Sequence, residues 1–165
     1  MKLLRVYITV ICCLVASFAK AQQLDIPFLQ SLLDKESFVV DTLMKSKGYV
    51  LMEKEQDSTM ISLYYNHVER NSEGPSWVRS LTLMDASVGE LHSRLVKYRT
   101  YNKEEYLKMN AYLLTNNFKT KNKFSFTNEE HVVLTNGKQD IKIKTIQNKL
   151  RDGRLLKIYE FELGK

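Results

Sequence analysis

The chain has 165 residues, 44 % of them hydrophobic, and its 25 basic and 19 acidic side chains give a formal charge of +6. This length supports one domain with a packed core rather than two independent domains. The composition excludes a disulfide-stapled scaffold, because its two cysteines, Cys12 and Cys13, lie in a segment that we expect to be removed.

The N-terminal segment has the features of a secretory signal peptide. A basic head precedes an apolar run of about fourteen residues, 6–19, which is followed by small residues at positions −3 and −1 of a cut before Gln22. A membrane-spanning helix needs roughly 20 apolar residues. We therefore expect residues 1–21 to be cleaved, a retained N-terminal anchor being the alternative. The lack of cysteine and of Asn-x-Ser/Thr sites in 22–165 is typical of the bacterial envelope, in the periplasm or at the cell surface.

Charge is distributed unevenly along the predicted mature chain. Residues 22–93 carry 6 basic and 11 acidic side chains, whereas residues 94–165 carry 16 basic and 8 acidic ones. Such asymmetry indicates either an anionic partner for the basic half or two halves that complement each other within one fold.

Helical spacing begins soon after the predicted cleavage site. Apolar residues recur with this spacing from Leu29 to Leu43, with a break at 34–36. Gly48 then stands where a left-handed residue closes a helix. We predict a helix over 36–47.

After that glycine the apolar period changes from 3.6 to 2, which predicts strands. In the last strand of this half we expect Lys97 and Arg99 on one face and Arg94 on the other. The predicted strands cover 49–55, 59–69, 77–84 and 91–101, with a polar loop at 70–76 and a turn at 85–90.

The second half opens with the clearest helix signal. Asn102 is placed to cap the helix, Glu105 to reach back in a capping box, and Asn116-Asn117 to end it. The pairs Asn136-Gly137 and Asp152-Gly153 predict tight hairpins. The first predicted strand of this half carries Lys119, Lys121 and Lys123, which alternate on a single face. The other predicted strands cover 131–135, 138–146 and 155–163.

The two halves align at an offset of 69 residues. This offset places Val40 on Met109, Met44 on Leu113, Gly48 on Asn117 and Tyr49 on Phe118. We predict one α+β domain, 22–165, built from two helix-plus-antiparallel-meander units, about 27–101 and 102–165, by internal duplication, with the helices packed on one face of the sheet. This order of elements resembles that of β-lactamase-inhibitor-like envelope proteins, which also repeat helix-then-meander units, but fold does not give function.

Residues 22–165 carry no motif that specifies catalysis. Nucleophile-elbow, zinc-protease, Walker and EF-hand motifs do not occur, and we predict no catalytic residue, no cofactor and no metal site. His67 and Glu69, two residues apart on a strand, are the pair that a hydrolase would use, and a solvated strand face is the alternative. We interpret His92 and His131 as surface residues.

The candidate binding residues lie mainly in the basic half. If they converge, they form a positive surface flanked by Tyr98, Tyr101 and Phe126, which would attract an anionic partner. Alternating lysines also protect sheet edges from aggregation, which is the alternative explanation. Trp77 is either an interface anchor or a core residue. The candidate basic residues are Arg94, Lys97, Arg99, Lys119, Lys121, Lys123, Lys142 and Lys144.

The sequence therefore predicts an exported, non-catalytic binding domain of the bacterial envelope. Its expected partner is an unknown envelope protein or an anionic polymer, not nucleic acid, contacted through the basic C-terminal half. A carrier or sensor of a small apolar ligand, held between helices and sheet, is the first alternative. A hydrolase that uses His67 and Glu69 is the second.

Overall fold

The computed structural model describes the backbone of residues 23–71, 74–150 and 152–165, and their side chains except at 68–71 and 74–78. The predicted signal peptide, 1–21, lies outside this part, as do the side chains of Glu69 and Trp77. The helices described are α1 (Ile26–Leu32), α2 (Ser37–Ser46) and α3 (Lys103–Thr115). The strands described are β1 (Val50–Gln56), β2 (Met60–Asn71), β3 (Gly74–Val88), β4 (Leu91–Thr100), β5 (Lys119–Phe126), β6 (Glu129–Thr135), β7 (Asp140–Lys149) and β8 (Leu155–Gly164).

These eight strands form one antiparallel sheet in the order β1-β2-β3-β4-β8-β7-β6-β5. Each half of the chain contributes a four-strand meander, and the last strands of the two meanders, β4 and β8, pair at the centre of the sheet. The strands β1 and β5 are consequently its two edges. The predicted α+β class is confirmed.

The two longer helices begin and end close to the residues that the sequence predicts. Gly48 follows α2 with a φ of 79°, a left-handed conformation that glycine adopts without steric cost. Asn102 caps α3, since its side chain accepts hydrogen bonds from the backbone N–H groups of Glu104 and Glu105. Asn117 follows α3 with a φ of 64°.

Two connections in the first half are shorter than predicted. β2 and β3 stay paired through most of the predicted loop at 70–76. β3 also continues to Val88, through most of the predicted turn at 85–90. Polar residues remain in this ladder because they find partners on the next strand, as Asp85 does in its ion pair with Arg94.

The hairpin between β6 and β7 is longer than predicted. Its loop covers residues 136–139 rather than the two residues Asn136 and Gly137 alone. The side chain of Asn136 explains the extra length, because its Oδ1 accepts hydrogen bonds from the backbone N–H groups of Lys138 (3.0 Å) and Gln139 (2.9 Å).

The strand register assigns alternate residues to two faces, which we call the core face and the polar face. One row across the core face contains Tyr65, Leu81, Tyr98, Phe161 and Ile143, all of them buried. The neighbouring row on the polar face contains Tyr64, Thr82, Lys97, Glu162 and Lys142, all of them half-buried or exposed.

A single hydrophobic cluster joins the core face to the helices. Its helical members recur at spacings of three or four residues, as expected of amphipathic helices. They are Ile26, Leu29 and Leu32 of α1, Val40 and Met44 of α2, and Met109 and Leu113 of α3. Complete burial of each such side chain stabilises the fold by about 2 kcal/mol.

The helix-to-strand connections of the two halves have the same geometry at an offset of 69 residues. The backbone N–H of Tyr49 donates to the carbonyl of Met44 (3.0 Å), and that of Phe118 donates to the carbonyl of Leu113 (3.1 Å). The edge strand that follows has a bulge in each case, between Leu51 and Glu53 in β1 and between Thr120 and Asn122 in β5.

Candidate binding surface

Four of the predicted basic residues converge at the centre of the polar face. Lys97 and Arg99 of β4 lie on one side of β8, and Lys142 and Lys144 of β7 lie on the other. The register aligns Lys97 and Lys142 with Glu162, and it aligns Arg99 and Lys144 with Glu160. We call Lys97, Arg99, Lys142 and Lys144 the four-cation surface.

Carboxylates of the second half lie between and beside these cations. Arg99 donates from Nη2 to Glu160 Oε2 (2.7 Å) and from Nε to the same oxygen (3.1 Å). Lys142 Nζ donates to Glu162 Oε1 (2.7 Å). Lys97 stands between both carboxylates, 4.0 Å from Glu160 Oε1 and 3.8 Å from Glu162 Oε2.

Lys144 completes the surface through a third carboxylate. Its Nζ lies 2.8 Å from Oε2 of Glu129. The hydrogen bond from Lys144 is the main reason why the pKa of Glu129 lies below its usual value, so this carboxylate is charged at neutral pH. The surface thus combines four cations with three carboxylates.

The cations stand further into solvent than the carboxylates at the centre of the surface. The exposed fraction of the side chain is 35 % for Lys97, 41 % for Arg99 and 65 % for Lys142, against 8 % for Glu160 and 22 % for Glu162. An approaching molecule therefore meets positive charge first.

A groove continues the four-cation surface across the first meander. Its volume is about 500 Å³, and it is open to solvent. Residues of β1 to β4 that line it include Met52, Tyr64, Thr82, Met84, Lys97 and Arg99. The central part of the polar face is therefore concave and mixes charged, aromatic and thioether side chains.

The lysines of β5 do not form one surface with each other. The bulge between Thr120 and Asn122 changes the register against β6, so that Lys119 and Lys123 lie on opposite faces. The prediction that Lys119, Lys121 and Lys123 share a face is wrong, because the extra residue of a bulge interrupts the alternation.

Two of these edge lysines have local partners. Lys121 Nζ lies 2.6 Å from Asp140 Oδ2, and Lys123 Nζ lies 2.6 Å from Glu130 Oε1. The hydrogen bond to Glu130 raises the pKa of Lys123. Exposed pairs of this kind contribute little to the stability of a fold, because water and salt screen them. Their position on an edge strand fits the protective role that was the alternative explanation.

Arg94 and Tyr98 do not join the four-cation surface. Arg94 belongs to the core face, where its guanidinium pairs with Asp85 and donates to the carbonyl of Lys35. Tyr98 is fully buried, so it does not flank the surface. The backbone of Trp77 lies in β3, and its side chain is outside the described part.

An aromatic cluster borders the four-cation surface on the side of β5. The rings of Phe124 and His131 are stacked, with centroids 4.8 Å apart, and the ring of Phe126 lies 5.6 Å from each of them. We call Phe124, Phe126 and His131 the aromatic corner. The sequence predicted Phe126 as a neighbour of the basic residues but did not predict the position of Phe124. A single phenylalanine in an edge strand forms no periodic pattern from which its neighbours could be predicted.

Glu105 is part of a buried polar network that the sequence did not predict. Its carboxylate accepts hydrogen bonds from Arg79 Nε (2.9 Å), Tyr98 OH (2.6 Å) and Thr100 Oγ1 (2.7 Å). The predicted capping box is wrong, because the backbone N–H of Asn102 donates to Thr100 Oγ1 instead (3.1 Å). Both carboxylate oxygens are engaged, so the network fixes β3, β4 and α3 relative to each other.

The histidines have structural contacts. His67 Nδ1 lies 2.9 Å from the carbonyl oxygen of Gly48, to which it donates when that nitrogen is protonated. Glu69, its proposed partner in a hydrolase, has a side chain outside the described residues. His92 lies on the surface, 3.0 Å from Ser87 Oγ.

A pocket of about 380 Å³ lies between α1 and α3. Leu24, Ile26, Met109 and Tyr112 give it an apolar lining. Glu105 also reaches its wall, but its carboxylate is committed to the network described above. This pocket is the observation that favours the carrier hypothesis.

Metal-binding groups, membrane-spanning helices and similar proteins also bear on function. In the described ranges, no group of three or more His, Cys, Asp or Glu side chains is arranged to hold a metal ion. No helix among the described residues is long and apolar enough to cross a membrane. Comparison with protein-family models, curated proteins and solved structures finds no match for this chain.

Proposed function

We propose that the protein is an exported, non-catalytic binding module of the bacterial envelope, and that it holds an acidic macromolecular partner on its polar face. The four-cation surface is the observation that carries this proposal. Two strands that are not neighbours in the sequence, β4 and β7, bring four cations together there, on either side of the less exposed carboxylates of β8. Export rests on the predicted signal peptide.

The two faces of the sheet have different roles in this proposal: the core face packs against the helices, and the polar face binds the partner. We propose that the helices cover the core face, whose buried rows belong to the same cluster as the apolar residues of the helices. The polar face is left to the partner, which would meet a concave surface with outward cations. Such charge accelerates encounter and selects an acidic surface over a basic one.

We propose that the two halves arose by internal duplication, which explains why the surface is central. Three features recur in both halves at the offset of 69 residues. They are the left-handed residue after the helix, the backbone hydrogen bond that follows it and the bulge in the edge strand. In a duplicated meander the final strands pair at the junction of the two units. We propose that the four-cation surface lies across this junction because β4 carries two of its cations and β7 the other two.

Binding to poly-L-glutamate tests the proposed function. The variant K97Q/K142Q removes two cations from the polar face, and the control variant K103Q/K108Q removes two exposed lysines from α3. Each exposed contact contributes about 0.7 kcal/mol, so we expect K97Q/K142Q to weaken binding about tenfold at low salt and the control to change it less than twofold. Equal weakening by the two variants would show that net charge alone attracts the polymer.

The pocket between α1 and α3 supports a second candidate function, transport or sensing of a small apolar ligand. Its apolar lining and its volume of about 380 Å³ are within the range of small-molecule sites. A native mass spectrum of the protein purified without detergent decides this point. An added mass of a few hundred daltons would favour the carrier function, and the mass of the chain alone would contradict it.

A further inference from the structure

The aromatic corner and the four-cation surface are continuous on the polar face. The register places Phe124 opposite His131, His131 opposite Lys144, Lys144 opposite Glu160 and Glu160 opposite Arg99. One row that crosses five strands therefore begins with an exposed aromatic ring and ends with an arginine.

The aromatic corner is exposed but held in place. Phe124 and Phe126 are 41 % and 66 % exposed. The His131 ring on which Phe124 stacks is fixed at Nε2, which lies 3.0 Å from Glu129 Oε2. The same oxygen of Glu129 accepts a hydrogen bond from Lys144 Nζ (2.8 Å). A shared carboxylate thus connects the aromatic corner to the four-cation surface.

Further apolar residues extend the corner along the next row. Phe126 lies opposite Glu129, Glu129 opposite Ile146 and Ile146 opposite Ile158. Ile158 is only 6 % exposed, and the register places it on the polar face together with Ile146. Exposed aromatic rings over a small apolar base are typical of protein interaction sites.

We propose that the partner is a protein and that its contact segment combines an aromatic or large aliphatic side chain with carboxylates. The aromatic corner holds the apolar side chain, and the four-cation surface holds the carboxylates. This inference rests on the proposed function and narrows its partner, because an anionic polymer without apolar groups would leave the aromatic corner unused.

The spacing of the strands defines the segment. Neighbouring strands are about 4.8 Å apart, so Lys144 lies about 10 Å from Phe124 and Arg99 about 19 Å from it. An extended chain covers these distances in about three and six residues. A segment that crosses the strands therefore needs its apolar side chain at one position and carboxylates three and six residues later.

The test compares two heptapeptides by amide chemical-shift titration of the protein. The first has the sequence Phe-Ser-Ser-Glu-Ser-Ser-Glu with blocked ends, and the second has Ser in place of Phe. We expect the first to bind at least about tenfold more tightly, the contribution of one well-placed aromatic side chain. The variant F126S should abolish this preference, and F38S, which removes a similarly exposed phenylalanine on α2, should keep it.

Each other outcome has a definite meaning. Equal affinity for the two peptides would overturn the inference while leaving the proposed function intact. A preference that survives both F126S and F124S would also overturn it, because the apolar side chain would then bind elsewhere. If neither peptide nor poly-L-glutamate binds, the proposed function fails together with the inference. The amide spectra of the variants show in the same experiment that they are folded.

Discussion

Glu105 and Arg79 form an ion pair in the interior of the protein, with exposed fractions of 1 % and 3 %. Burial removes both charges from water, and their attraction offsets this cost only while the pair is complete. Tyr98 and Thr100 provide the remaining hydrogen bonds of the carboxylate. The network also raises the pKa of Tyr98, mainly through burial of its hydroxyl, so the phenol stays protonated and keeps donating.

Replacing this carboxylate should destabilise the fold strongly. We expect E105Q to lower the free energy of unfolding by about 3 kcal/mol, because the charge of Arg79 loses its buried counter-charge. The control is E104Q at the neighbouring exposed position, where loss of a favourable helix-dipole contact costs less than about 1 kcal/mol. Urea denaturation measures both. Equal midpoints for the two variants would contradict the network as a stabilising element.

The role of Glu105 was predictable only in part. Its spacing of four and eight residues from Met109 and Leu113 places it on the buried side of α3, which the sequence already shows. Its partners are not predictable in this way, because Arg79 is 26 residues away in the chain and reaches it only through the pairing of β3 with β4. The capping-box pattern therefore led to the wrong interpretation.

At the scale of elements, the helix-to-strand connections were the most predictable parts. A left-handed residue follows α2 and α3, where the chain turns into an edge strand, and the sequence supplies Gly48 in one half and Asn117 in the other. The strand ends were less predictable. Strand pairing continues through polar residues when these residues have partners on the neighbouring strand. Such partners come from another part of the chain, so the local sequence does not show where the strand ends.

The equivalence of Gly48 and Asn117 makes a prediction about substitutions. G48N should cost less than about 1 kcal/mol, since asparagine tolerates the left-handed conformation. G48V should cost more than about 2 kcal/mol, because a β-branched side chain does not. The reverse change N117G serves as the control and should stay within about 0.5 kcal/mol of the unchanged protein. Thermal unfolding that ranked G48V equal to G48N would contradict the equivalence.

At the scale of the whole molecule, the pairing of β4 with β8 decides what the charged residues do. The alternation of side chains along a strand is enough to predict that Lys97 shares a face with Arg99, and Lys142 with Lys144. The carboxylates between them were not predictable, because Arg99 and Glu160 are 61 residues apart in the chain. These four cations pair with carboxylates of their own half of the chain, residues 94–165, and still face outward. Ion pairs between the two halves lie elsewhere, as between Arg94 and Asp85.

Amide chemical shifts that map the contact surface of poly-L-glutamate show directly whether the acidic partner binds to the polar face. We expect the shifts to concentrate on β4, β8 and β7, around Lys97, Arg99 and Lys142, and to disappear as salt rises and screens the charges. Shifts that concentrate on α1 and α3, or that spread evenly over all exposed lysines, would contradict a binding site on the polar face.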